Sequence, residues 1–143
     1  MNIAFFLLPK QEVVTLSSDA TLRQTLEKME HHRYTAVPII HPDGSYAGVV
    51  TEGDLLWYMK GTGLSFEQTN KVKLSEVPLR LHSRSVSINS NMEDLISLAK
   101  SQNFVPVVDD MNRFIGIVRR SEIIDYCEKL ILEESSNDMP SGR

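Results

Sequence analysis

Residues 37–59 read VPIIHPDGSYAGVVTEGDLLWYM, and residues 105–127 read VPVVDDMNRFIGIVRRSEIIDYC. The phrases align without a gap at a spacing of 68 residues, which sets Pro38 on Pro106, Tyr46 on Phe114, Gly48 on Gly116 and Asp54 on Glu122. Apolar positions coincide nearly throughout, a register that chance sharing of a proline or a glycine does not supply. The chain is therefore two copies of one unit. Upstream the match continues with small length changes. Val14-Thr15-Leu16 aligns with Val86-Ser87-Ile88, and Leu22, Leu26 and Met29 fall at helical spacing, as do Met92, Ile96 and Ala99. The units span residues 9–60 and 73–132. Residues 61–72 read as a linker opened by Gly61-Thr62-Gly63-Leu64-Ser65, and residues 133–143 as a loose polar tail.

Both units share one order of elements. In the first, a short strand over Val13–Leu16 precedes a helix capped by Ser18 or Asp19, a buried strand over Ala36–Ile40, a turn at His41-Pro42-Asp43-Gly44, a strand over Tyr46–Val50 and a helix that begins between Thr51 and Asp54. In the second, the corresponding segments are Ser85–Ile88, Met92–Gln102, Phe104–Val108, Arg113–Val118 and Ser121–Leu132. The predicted fold class is α+β (α/β), with β-α-β-β-α twice. A unit of about 55 residues buries too little surface to stand well alone. Two units packed sheet to sheet with pseudo-two-fold symmetry would resolve that.

This order resembles the CBS (cystathionine β-synthase) domain, which occurs in pairs. The phrases Tyr34-Thr35-Ala36-Val37-Pro38-Ile39-Ile40 and Gly48-Val49-Val50-Thr51-Glu52-Gly53-Asp54-Leu55-Leu56 carry the resemblance. It covers residues 9 to about 132 and is similar to a free-standing bacterial pair.

The residues offer no catalytic constellation, so the chain reads as no enzyme, with no cofactor required. His31, His32, His41 and His82 form no metal-ligand spacing, and no GxSxG or P-loop occurs. Cys127, the single cysteine, lies on an apolar helical pattern; it can make no internal disulfide, which suits a reducing cytoplasm. The formal charge of −4 argues against nucleic acid as a partner. The run Ile3-Ala4-Phe5-Phe6-Leu7-Leu8 is too short for a membrane span, lacks a preceding basic residue, and reads as a segment packed on the core.

The resemblance implies a ligand site at Gly48-Val49-Val50-Thr51-Glu52-Gly53-Asp54. Asp54 would accept from the two ribose hydroxyls of a nucleotide and Thr51 would donate to its phosphate, at a helix start whose free N–H groups suit an anion. The bland alternative is that Thr51 or Asp54 only caps that helix. The resemblance further puts a purine edge against backbone near Val13, Val14, Tyr34, Thr35, Ala36 and Pro38; ordinary strand core is the alternative there. The second copy departs from the pattern, with Arg119 in place of Thr51 and Glu122 in place of Asp54. Arg119 and Arg120 stand at a helix start where arginine grips phosphate, or else pair with Glu122 or Asp125.

Two ligands fit these residues: an adenine mononucleotide (AMP, ADP or ATP), or cyclic di-AMP. The expected role is a sensor that binds an adenosine-containing small molecule, forms a homodimer and signals through an effector protein. The surplus apolar residues of the last helices, Leu55, Leu56, Trp57, Tyr58 and Met59 in one unit and Ile123, Ile124, Tyr126, Cys127, Leu130 and Ile131 in the other, motivate the dimer. A ligand-free dimerisation module is the rival reading.

Overall fold

The computed structural model describes residues 1–80 and 82–137. Its strands are β1 (Leu8–Pro9), β2 (Leu16–Ser17), β3 (Ala36–Ile40), β4 (Tyr46–Thr51), β5 (Val86–Ser87), β6 (Phe104–Val108) and β7 (Phe114–Arg119). Its α-helices are α1 (Leu22–His32), α2 (Glu52–Thr62) and α3 (Arg120–Asn137). One sheet has the order β2-β3-β4 and the other β1-β7-β6-β5. Within each, a parallel pair adjoins an antiparallel hairpin, and the hairpins match residue for residue: Ala36 faces Thr51 as Phe104 faces Arg119.

Several boundaries differ from the sequence reading. Leu16 pairs with Ile39 and Val86 with Val107, so the true partner of Val86 is Leu16 rather than Val14. The cap of α1 is Thr21, not Ser18 or Asp19. Its hydroxyl accepts from Gln24 N at 3.1 Å while Gln24 Oε1 accepts from Thr21 N at 2.9 Å, a reciprocal capping box. Ser18 is buried and bonds His41 Nδ1 at 2.9 Å instead. The helix expected over Met92–Gln102 is two 3₁₀ segments, Met92–Leu95 and Leu98–Lys100. The reason is the period: Met92 and Leu95 are fully buried and Leu98 partly so, at three-residue steps, while Ile96 is exposed. The linker is ordered too, with Phe66–Lys71 forming 3₁₀ turns, Arg23 over the Phe66 ring at 4.8 Å and Thr69 fully buried. Helix α3 runs through residues 133–137 of the expected tail, and 138–143 lie outside the described residues.

The leader of each unit completes the core of the other. Leu74 and Val77, which open unit two ahead of its first strand, are buried with Leu16, Leu22, Val37, Val50 and Leu55 of unit one. Ile3, which precedes unit one, is buried with Met92, Leu95, Val105, Val118 and Ile123 of unit two, and β1 extends that sheet antiparallel to β7. The repeated glycines follow from this exchange. A Cβ on Gly116 would sit 2.3 Å from the Leu8 carbonyl oxygen, and one on Gly48 would sit 2.8 Å from Leu79 Cδ1. Between the sheets, Ile40, Phe114 and Ile117 form a third cluster, with Leu8, Val13, Tyr46 and Phe104 against it. The hairpin tips exchange two bonds across the pseudo-axis, Tyr46 N to Asn112 O at 3.1 Å and Phe114 N to Gly44 O at 2.9 Å.

Ile3→Ala and Leu74→Ala are each expected to cost about 2–5 kcal/mol in urea unfolding, as for any fully buried core truncation, although both residues lie outside the helices and strands of the unit they complete. The Tyr46 hydroxyl donates to Ser83 O at 2.7 Å, and burial pushes this phenol well above its ordinary range. The fold thus favours the neutral phenol, a contribution present at neutral pH and lost as pH rises past about 10. Tyr46→Phe should lower stability by about 1 kcal/mol at pH 7 and reduce the further loss above pH 10, both read from urea titrations across pH.

Candidate functional site

Helix α2 starts where β4 ends, so strand geometry delivers Thr51 to the space between the sheets. Thr51 Oγ1 accepts from Asp54 N at 3.2 Å, and Asp54 Oδ2 accepts from Thr51 N at 2.9 Å. The second carboxylate oxygen reaches out of the unit: Asp54 Oδ1 accepts from Arg80 N at 3.0 Å. Asp54 is 2% exposed, so both its oxygens hold backbone of the folded chain. Each keeps acceptor capacity for a second donor, and the Thr51 hydroxyl keeps its own proton to donate.

Thr51 lines a cleft of about 50 Å³ with Ala36 and Val49 of unit one and Ser83, Ser101, Gln102, Asn103 and Phe104 of unit two. The wall from unit two is fixed by its polar groups. Gln102, 8% exposed, accepts from Arg84 N at 2.9 Å and donates to Arg84 O at 3.1 Å. Ser83 is held by the Tyr46 hydroxyl. Arg120 closes the corner, its Nε donating to Gln102 O at 3.1 Å and its backbone N to Asn103 O at 2.9 Å.

Of the ten residues singled out from sequence, the structure brings Ala36 and Thr51 into this cleft, sets Asp54 directly beneath it and puts Arg120 beside it. The others are dispersed. Val13 packs in the inter-sheet cluster and Val14 on the core of unit one. Pro38 is buried in β3 opposite Val49. Thr35 offers its carbonyl to Glu52 N at 3.0 Å. Tyr34 stacks on His32, ring centroids 5.6 Å apart, and lines a separate groove between α1 and α2 with Leu26, Met29, Leu55, Met59 and Phe66. That groove is larger, about 680 Å³, but it is open and apolar and holds neither Thr51 nor Asp54. Arg119 is spent on Glu122 at 3.3 Å.

The cleft residues that sequence reasoning missed are Ser83 and the run Ser101–Phe104. The repeat itself pointed to part of that run, since Asn103 and Phe104 occupy in unit two the places of Thr35 and Ala36. The expected sheet-to-sheet packing already implied a wall from the second copy; the missing step is which of its residues form that wall. Among the described residues no group of three or more His, Cys, Asp and Glu side chains is placed to hold a metal ion, and no helix is long and apolar enough to cross a membrane.

Comparison with known proteins agrees with this architecture. The CBS domain family matches residues 7–61 and 75–129. A CBS domain-containing protein of Dictyostelium discoideum is 25% identical over 142 residues, spanning 92% of this chain and 95% of that protein. Among solved structures, CbpB in complex with c-di-AMP superposes with a TM-score of 0.82 at 17% identity, covering 96% of this chain and 91% of that one. CBSX2 in complex with AMP gives 0.70 at 21% identity, covering 90% and 97%. At such identities the solved structures speak for the fold. Two tandem matches over most of its length, on a fold of two repeated units that exchange leaders, show that this chain belongs to the CBS-domain family.

Proposed function

We propose that the chain is a regulatory module that takes an adenine nucleotide into the Thr51 cleft and passes its state on to other proteins. The observation that carries this is the cleft itself: walls from both units converge on a helix start where the Thr51 hydroxyl keeps a proton to donate, at the positive end of α2 that suits a phosphate. The small side chain of Ala36 lets a flat ring approach β3, and Phe104 on the facing wall offers an aromatic face to a base. In this reading the base lies against residues 101–104 rather than Val13 and Val14. The bound AMP of CBSX2 and c-di-AMP of CbpB support the ligand class.

A cleft of about 50 Å³ is far below the ~300–1,000 Å³ of small-molecule sites, so binding must widen it. The group that moves is Arg80, because Asp54 is 2% exposed with the Arg80 backbone on its Oδ1, and a ribose diol reaches that oxygen only when Arg80 moves aside. Ligand and docked connector compete for one carboxylate, and that competition is the signal. Leu56, Trp57, Phe66, Ile124, Ile131 and Leu132 are exposed on the outer helical faces, a surface we assign to a second copy of this chain, with an effector protein as the reader. The module works by binding, with no cofactor and no reaction, and its lone half-buried thiol fits the cytoplasm.

The test is isothermal titration with AMP, ADP, ATP and cyclic di-AMP against parent and Asp54→Ala protein, folding checked by circular dichroism. Asp54→Ala should weaken binding by at least about tenfold, the loss expected for a charge-assisted bond. Saturating ligand at 100 times its dissociation constant should add about 2.7 kcal/mol to stability. Equal affinity in Asp54→Ala contradicts the ribose assignment, and no binding of any adenine ligand favours a ligand-free dimerisation module.

A further inference from the structure

The two leaders start alike and end differently. Ile3 N donates to Ser90 O at 3.2 Å and Met92 N to Met1 O at 2.9 Å; in the other unit Leu74 N donates to Ala20 O and Leu22 N to Val72 O, both at 2.8 Å. These matched bonds set Leu74 on Ile3, and hence Leu79 on Leu8 and Arg80 on Pro9. Leu8 and Pro9 form β1, paired antiparallel with Ile117 and Gly116 of β7. Leu79 and Arg80 belong to no strand, and the β2-β3-β4 sheet ends at β4.

The edge of β4 is nonetheless built like the edge of β7. Pro106 lies opposite Ile117, and Pro38 opposite Val49. A proline has no N–H to exchange, so the backbone N–H and C=O of Ile117 and of Val49 point away from it, toward the outer edge. At Ile117 they meet Leu8. Val49 is 4% exposed, and among the described residues nothing bonds its outward groups. A buried peptide group left unmet costs about 1–3 kcal/mol. Gly48 and Gly116 also share one backbone form, with φ of +148° and +157°. At Gly48 only the tip of the Leu79 side chain stands in the space that the Leu8 backbone fills at Gly116.

We propose that Leu79 and Arg80 have a second position, paired with β4 as a fourth strand, and that the Asp54 carboxylate decides between the two. In the first position Arg80 N donates to Asp54 Oδ1 at 3.0 Å. Unit two lacks this latch: Pro9 has no N–H, and Glu122, the counterpart of Asp54, is paired with Arg119 at 3.3 Å. There the leader is already zipped. In the second position Leu79 would face Val49 as Leu8 faces Ile117, and the N–H of Arg80 would point away from β4, where proline stands in the other copy. The trigger rests on the nucleotide reading, since a diol on Asp54 would release Arg80; the second position itself does not.

The test is amide exchange by NMR on ligand-free protein. Arg80→Pro copies the other leader and removes the N–H that Asp54 holds. Asp54→Asn keeps one oxygen to cap α2 and turns an NH2 group toward Arg80 N, so that two donors meet. Arg80→Ala keeps the backbone N–H and serves as the control. The Val49 amide should exchange at least about tenfold more slowly in Arg80→Pro and Asp54→Asn than in the parent, and at the parent rate in Arg80→Ala. The same two variants should show an Hα–Hα cross-peak between positions 48 and 80, the closely spaced pair of such a ladder. Amides of β6 and β7 report whether the fold is kept. With those amides protected, unchanged Val49 exchange in both variants, or slower exchange without the cross-peak, overturns the proposal. The cross-peak in parent protein saturated with AMP or cyclic di-AMP supports both the proposal and the nucleotide trigger. Its appearance in the variants alone leaves the second position standing and counts against competition for Asp54.

Discussion

The structure depends on a reciprocal exchange of apolar leaders. Ile3 fills the core of the second unit, and Leu74 and Val77 fill the core of the first. Neither unit is finished by its own sequence, which is how two pieces too small to hold a core separately become one body. The exchange also explains the two glycines at matching places in the repeat. Each lies where the other unit's leader crosses a strand, and at Gly116 that leader is backbone, which leaves no room for any side chain.

The exchange has a consequence for the cleft. The leader that seals unit one at Leu74 and Val77 also sets Arg80 on Asp54, and Ser83 of the same unit stands in the wall of the cleft. Core packing anchors one end of this segment. Polar bonds from Asp54, Tyr46 and Gln102 hold the other; such bonds contribute about 1 kcal/mol net, or about 1.5–3 kcal/mol for the one to the carboxylate, which a ligand that takes over the carboxylate can offset. A ligand can therefore displace the far end without unpacking the core. The buried carboxylate of Asp54 fits this account: it caps α2 through Oδ2 and pins the connector through Oδ1, the oxygen over which ligand and connector would compete.

The repeat, the element order and the hairpin register were legible in the sequence because a 68-residue spacing preserves the pairing of the strands from Ala36 to Thr51 in those from Phe104 to Arg119. The start of α2 was legible for the same reason. The Thr21 cap was also written there, as Thr21-x-x-Gln24, but Ser18 and Asp19 compete for the same role in any local reading. The three-residue period of Met92, Leu95 and Leu98 is readable as 3₁₀ only once burial shows that Ile96 faces out. The facing of the two sheets was expected from the small size of one unit, but the residues that meet across it were not legible. That Thr51 meets Ser83 and Gln102 arises from long-range contacts that no local pattern encodes.

The central claim is that a nucleotide and the connector compete for Asp54. Hydrogen exchange at the Arg80 amide, with and without saturating ligand, tests it directly. In the free protein that amide donates to a carboxylate only 2% exposed and should exchange slowly. Binding ordinarily protects amides; here the Arg80 amide should exchange faster once ligand is bound, while the backbone of β3 and β4 becomes slower. An Arg80 amide equally or more protected in the complex would contradict the account, because the connector would then stay on Asp54 with the ligand in place.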